Sequence, residues 1–259
     1  MADANPLQLS LYHPRGCLSA SVQALWVASA SESHAVEAWL PGDIGSGIVF
    51  NLTNTIAINQ QPFETGVILQ PVSKDSALLA MPAGSVMAGM RFHPAVGYGV
   101  MNRLCDTPTP LVANTVFEHA LLSLFKQLSA STGPYAKMNS LYRWLKIHLR
   151  FSEQIPPSLA SALNALSLAE GLNPDTLTIS QRQLERQFQR WLGVTPKQAA
   201  RILRVKRTRE ALKQSHAPLV DIALSQGFSD QAHMTREFKQ IAKVTPYGYV
   251  KRVRGRYSE

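Results

Sequence analysis

The chain has 259 residues, 45% of them hydrophobic and 17% charged, and its 26 Lys and Arg against 17 Asp and Glu give a formal net charge of +9. That length suggests two domains with buried cores, and no stretch approaches the roughly twenty apolar residues of a membrane-spanning helix. Two cysteines, Cys17 and Cys105, make neither a disulfide framework nor a cysteine zinc site and are expected as reduced, buried thiols.

The first residues carry Asp3 and lack a basic start followed by an apolar run. No secretory signal is therefore expected, and the expected location is cytoplasmic. Short apolar runs then recur at 22–27, 36–40, 47–52, 55–58, 66–72, 77–81 and 86–92, punctuated by Pro41-Gly42-Asp43 and Pro82-Ala83-Gly84. Short strands at regular spacing predict a β-sandwich or barrel. His13, His34 and His93 are scattered, with no His-x-His pair and no carboxylate at ligand spacing, so structural histidines are expected and no metal site. Arg91 and His93 could bind an anionic ligand, and Trp26, Trp39 or Tyr98 could line an apolar pocket. The alternative is an interior filled with packed side chains.

Two helices are predicted over 116–129 and 134–151. Phe117, Leu121, Leu124, Phe125 and Leu128 form one apolar stripe, and Met138, Leu141, Leu145 and Ile147 a second. Either the stripes pack against the strands or they form the seam of a homodimer. Pro156-Pro157 and Leu172-Asn173-Pro174-Asp175 break the chain after them.

The last eighty residues contain a repeat. Ser180-Gln181-Arg182-Gln183-Leu184-Glu185-Arg186-Gln187-Phe188, leading to Val194-Thr195-Pro196, is matched fifty positions on by Asp230-Gln231-Ala232-His233-Met234-Thr235-Arg236-Glu237-Phe238, leading to Val244-Thr245-Pro246. Ser180 and Asp230 are good helix N-caps. Behind them Leu184, Phe188, Trp191 and Leu192, and Met234, Phe238, Ile241 and Ala242, fall at core-facing helical spacing. The opposite faces carry Gln181, Arg182, Glu185, Arg186 and Gln189 in one copy, and Gln231, Ala232, Thr235, Arg236 and Lys239 in the other. Arg suits guanine, Gln suits adenine, and Ala or Thr methyls suit thymine.

Between the copies, a long helix over 197–215 carries Arg201, Arg204, Lys206, Arg207 and Arg209. Arg204 and Arg207 are expected at phosphates, which position a protein on DNA without specifying sequence. Pro218, the apolar Leu219, Ile222 and Ala223, and Gly227 then give helix, turn and capped helix, the layout of a helix-turn-helix. Residues 180–259 hold seventeen Lys and Arg against six Asp and Glu, a balance of +11, while residues 1–179 are at −2. That asymmetry points to a polyanion, and without a broad apolar helix face the polyanion is nucleic acid rather than membrane.

Ile222-Ala223-Leu224-Ser225-Gln226-Gly227-Phe228-Ser229-Asp230-Gln231-Ala232-His233, with Arg236-Glu237-Phe238-Lys239 and Val244-Thr245-Pro246, resembles the signature of AraC/XylS-type transcription regulators. The resemblance spans about 158–252 and implies two helix-turn-helix units in one chain. By position it places Arg182, Glu185 and Arg186, and Gln231, Ala232, Thr235 and Arg236, at DNA bases. The chain departs from the family in two places. The stretch 170–179 has poor helical pattern where a scaffold helix is usual, which shifts that role to a helix over 159–169. Lys243 also stands where the first copy and most relatives have Gly. Leu40-Pro41-Gly42-Asp43, Ile48-Val49-Phe50-Asn51-Leu52 and Gly89-Met90-Arg91-Phe92-His93-Pro94 resemble the cupin-like sensory domain in front of many such regulators.

The fold expected is therefore α+β: a cupin-like β-sandwich or barrel over 1–115, a helical linker with a dimerisation role over 116–153, and an all-α double helix-turn-helix domain over 154–259. The function expected is sequence-specific DNA-binding transcription regulation, modulated by a small molecule on the N-terminal domain. Double-stranded DNA, a small-molecule effector, RNA polymerase and a second copy are the partners considered. The alternative is an architectural or weakly specific DNA binder with a vestigial sensor. No cofactor is expected, and no nucleophile constellation or phosphate loop suggests an enzyme.

Overall fold

The computed structural model describes residues 6–170, 172 and 178–255. The chain divides into two units: Met1–Leu40, Gly45–Val72 and Ala77–Gln154 form the first, and Pro41–Ile44, Ser73–Ser76 and Ile155–Glu259 the second.

In the first unit the strands are β1 (Leu7–Tyr12), β2 (Val22–Ala30), β3 (Val36–Leu40), β4 (Gly47–Asn51), β5 (Ile56–Ile58), β6 (Gln61–Phe63), β7 (Gly66–Gln70), β8 (Ala77–Met81), β9 (Val86–Phe92) and β10 (Thr109–Pro110). They make the expected sandwich of two antiparallel sheets, ordered β1-β2-β9-β4-β7-β10 and β3-β8-β5-β6. Val49, Ile58, Phe63, Ile68, Leu79 and Met81 fill the space between the sheets. On β2, Trp26 packs on this cluster and lies opposite Gly89 of β9, where a Cβ would come within 2.3 Å of the indole. Residue 89 is glycine because the ring occupies the place of its side chain.

All five residues of β4, Gly-Ile-Val-Phe-Asn, are buried. A strand covered on both faces reads as a continuous apolar run. The second cover comes from α2 (Val116–Ala130) and α3 (Gly133–His148), which lie against β7, and against β2 and β9, respectively. Leu121, Leu124 and Leu128 of α2, and Leu141 and Leu145 of α3, are at most 1% exposed. These five leucines are thus packed inside the unit and none is left for a seam between copies, whereas Ile147 of the second stripe is exposed. Trp144 ties the pair together, its Nε1 donating to the Ala120 carbonyl at 3.2 Å.

The sequence pattern missed β1, β6, β10 and the short α1 (Val96–Met101). Cys17 is exposed and Cys105 half-buried, so neither is the buried thiol expected; in the short turn that holds Cys17, Leu18 takes the inward position. Trp39 is 44% exposed and so is placed to line no interior pocket. His13 and His34 bond locally, through Nδ1, to the Gln23 carbonyl and the Ser33 hydroxyl.

The second unit contains α4 (Pro157–Ser167), α5 (Gln181–Leu192), α6 (Pro196–Gln214), α7 (Leu219–Ser225), α8 (Gln231–Ala242) and α9 (Pro246–Gly255). Helix α6 touches α4, α5, α7, α8 and α9. Its buried residues, Ala199, Ile202, Leu203, Val205, Thr208 and Leu212, are spread around more than half of the helix instead of forming one stripe. It is an axle on which the other helices are mounted. Of the 170–179 stretch, residues 171 and 173–177 lie outside the described residues; α4 packs on α5 and α6, where a scaffold helix is required. Among the described residues no helix is long and apolar enough to cross a membrane.

Candidate nucleic-acid interface

Both repeat helices begin at a side-chain cap. The Ser180 hydroxyl accepts from the Gln183 N–H, and the Gln183 side chain accepts from the Ser180 N–H, closing a capping box on α5. On α8 the Asp230 carboxylate accepts from the His233 N–H at 2.7 Å, and that bond is the main reason its pKa lies below the ordinary Asp value. Leu184, Phe188, Trp191 and Leu192 on α5, and Met234, Phe238, Ile241 and Ala242 on α8, are all at most 6% exposed.

The other faces are open. Gln181, Arg182, Glu185, Arg186 and Gln189 of α5 are exposed, as are Gln231, Ala232, Arg236 and Lys239 of α8, while Thr235 is half-buried. Gln181 Nε2 donates to Glu185 Oε1 at 3.0 Å, which holds two neighbouring side chains in one plane of approach. The Thr235 hydroxyl donates back to the Gln231 carbonyl at 2.8 Å, leaving its methyl as the group free for outward contact. Arg186 and Arg236 occupy the same place in their two helices, six positions after the caps Ser180 and Asp230.

Both helices end in the left-handed region, Gly193 at φ 66° and Lys243 at φ 58°. Lys243 therefore adopts the glycine exit itself, at a cost of about 1 kcal/mol.

Residues 175–252 match a helix-turn-helix domain family. Similar curated proteins include the HTH-type transcriptional activator RhaS of Escherichia coli, 29% identical over 143 residues that cover 54% of this chain and 46% of RhaS. Another is the HTH-type transcriptional regulator ArgR of Pseudomonas aeruginosa, 34% identical over 96 residues that cover 35% of this chain and 29% of ArgR. The chain thus spans less than half the length of these relatives. Among solved structures, an AraC-type regulator from Chromobacterium violaceum is 29% identical, covering 38% of this chain and 92% of that one at a TM-score of 0.36. ToxT of Vibrio cholerae covers 95% of this chain and 98% of its own at 9% identity and a TM-score of 0.48.

Within the helix-turn-helix domain the arginines of α6 point largely inward. Arg201 Nε donates to Glu237 Oε1 at 2.8 Å and its Nη2 donates to Gln240. Arg204 lies 3.7 Å from Glu237 Oε2 and over the Phe228 ring, 5.2 Å from its centre. Arg207 donates to the Leu166 carbonyl at the end of α4, at 2.8 Å. Burial, and then the neighbouring Arg204, push the Arg207 pKa down, although a guanidinium stays charged in any protein setting. So the two residues expected at phosphates, Arg204 and Arg207, hold α8 and α4 against α6. Glu237 was missed by sequence reasoning. The available signal was an isolated acid on a basic helix, three positions from Met234 and one from Phe238, hence on the buried side.

Proposed function

We propose that the chain is a sequence-specific DNA-binding transcription regulator of AraC type, acting in the cytoplasm, whose first unit binds a small-molecule effector. The observation that carries this reading is the duplicated reader: two capped helices with buried apolar stripes present Arg186 and Arg236 at equivalent places on open polar faces. Inserted in successive major grooves, α5 and α8 would read blocks about one helical turn, roughly 34 Å, apart. Arg182, Glu185, Arg186 and Gln181 would meet bases from α5, and Gln231, Ala232, Thr235, Arg236 and Lys239 from α8. Arg204 and Arg207 would act at one remove, by fixing the helices that read. The curated relatives are named as transcriptional activators and regulators, which supports regulation through RNA polymerase rather than catalysis.

The test is selection of fragmented genomic DNA by the purified protein at about 150 mM salt, since phosphate contacts inflate affinity at lower salt. Two short blocks one turn apart are expected. One block alone would restrict reading to a single helix, and no enriched site would favour the architectural alternative.

A further inference from the structure

The first unit contains a cavity of about 230 Å³ at the turn between α2 and α3, on the side of the large sheet that faces those helices. It is lined by Ser10, Val27, Ser29, Thr53 and Val86 from the sheet side and by Lys137 of α3. Lys137 is 8% exposed, and its ammonium donates to the carbonyls of Leu128 and Ser131 at the end of α2. Those acceptors are neutral, and among the described residues no carboxylate is paired with it. Burial accordingly pushes its pKa below the ordinary lysine value, and no nearby acid offsets this. A buried ammonium without a counter-charge is costly, and proteins ordinarily pair it. Beside it, no side chain caps the N-terminus of α3, whose first residue, Gly133, also lines the cavity. The positive end of the 16-residue α3 therefore opens on the same cavity as Lys137, whose own charge is partly offset by the carbonyls at the negative end of α2.

We infer that this cavity is a binding site for a small hydroxy-carboxylate, with Lys137 as the group that holds the carboxylate. The hydroxyls of Ser10 and Ser29 supply donors and acceptors for a ligand hydroxyl, while Thr53, whose hydroxyl donates to the Gly84 carbonyl and accepts from the Val86 N–H, shapes the wall and Val27 and Val86 admit a short apolar portion. The volume lies below the range of about 300–1,000 Å³ usual for drug-sized ligands, which sets the size as a small metabolite. The cavity argument stands on its own; only a role for this ligand as effector rests on the regulatory reading above.

The experiment is calorimetric titration of the full chain, without DNA, with lactate, glycerate and 3-hydroxybutyrate, and with lactamide and inorganic phosphate as controls. At least one hydroxy-carboxylate is expected to bind saturably, with lactamide weaker than lactate by about tenfold or more, which is about 1.4 kcal/mol. Lys137→Met should abolish binding, and Ser29→Ala should weaken it several-fold. Because Lys137 also closes the end of α2, the Met variant is compared only if its circular dichroism matches wild type. If it does not fold, the lactate-to-lactamide contrast in wild type decides. Lactamide binding as tightly as lactate, no binding by any of the three acids, or binding of phosphate alone overturns the assignment. Because no DNA is present, failure here leaves the DNA-reading proposal untouched.

Discussion

Arg201 of α6 donates to Glu237 of α8 across 2.8 Å, with the carboxylate buried and the guanidinium about one-third exposed. Helix α8 is thus fixed to the axle by a charge on the side opposite its open polar face. Glu237→Ala leaves Arg201 and Arg204 without their acid, and a hydrogen bond to a charged group contributes about 1.5–3 kcal/mol. Urea unfolding should show a loss of about 2 kcal/mol. An unchanged midpoint would mean that the pair is incidental.

Arg186→Ala and Arg236→Ala should each weaken binding to the selected site by about 1–3 kcal/mol and leave affinity for scrambled DNA nearly unchanged. Arg207→Ala should behave differently. Its guanidinium bonds the Leu166 carbonyl, so its effect should appear as lower thermal stability of the DNA-binding unit. Fluorescence anisotropy on matched and scrambled duplexes, beside thermal melts, separates the two kinds of residue.

Glu118 should make the first unit sensitive to acid. Burial raises its pKa, but the Asn114 N–H, the Arg103 guanidinium and Thr115 outweigh it and hold the carboxyl below its ordinary value. The folded pKa is below the unfolded one, about 4.3. Its stabilisation is therefore complete at neutral pH and is lost as pH falls through about 4.3 toward the folded value. In Glu118→Gln that part of the pH dependence should vanish from a series of acid melts. A Gln variant with the wild-type acid profile would assign the titration elsewhere.

Leu121 is fully buried in the first unit. Leu121→Ala should cost about 2–5 kcal/mol as a core truncation, and it should do so without shifting the sedimentation coefficient of the folded protein. A change of oligomeric state at unchanged stability would instead place Leu121 in a seam.

Gly193 and Lys243 share one backbone conformation, at φ 66° and 58°. Gly193→Lys should therefore be tolerated in α5, at about 1 kcal/mol in chemical denaturation. A loss several times larger would show that the first exit needs glycine for close packing.

Much of this molecule could be read from its residues because the relevant forces are local. Ser180 and Asp230 cap because their side chains bond amides three residues on, and Leu184, Phe188 and Trp191 are inward because helical geometry puts them on one side. What was missed depends on partners distant in sequence. Arg201 and Arg204 are as basic as any phosphate-binding residue, and only the folded position of Glu237, more than thirty residues on, turns them inward. The helix α1 is Val-Gly-Tyr-Gly-Val-Met, a poor helix former by propensity; Gly97 and Gly99 sit where side chains would strike Ser46 and Phe151, so packing overrides propensity. Strand β1, Leu-Gln-Leu-Ser-Leu-Tyr, did carry an alternating signal, but its Leu9 and Leu11 remain more than half exposed at the sheet edge.

The 19 residues of α6 run without a break between the two readers. A helix of that length is about 28 Å long and turns about 100° per residue. Its residue count is therefore also an angular setting. A single residue inserted after Arg204 would lengthen it by only about 1.5 Å but turn the residues beyond by about 100°, so that Val205, Thr208 and Leu212 would leave the faces on which the neighbouring helices pack. The number of residues in α6 can therefore change only in nearly whole turns without unpacking the helices mounted on it.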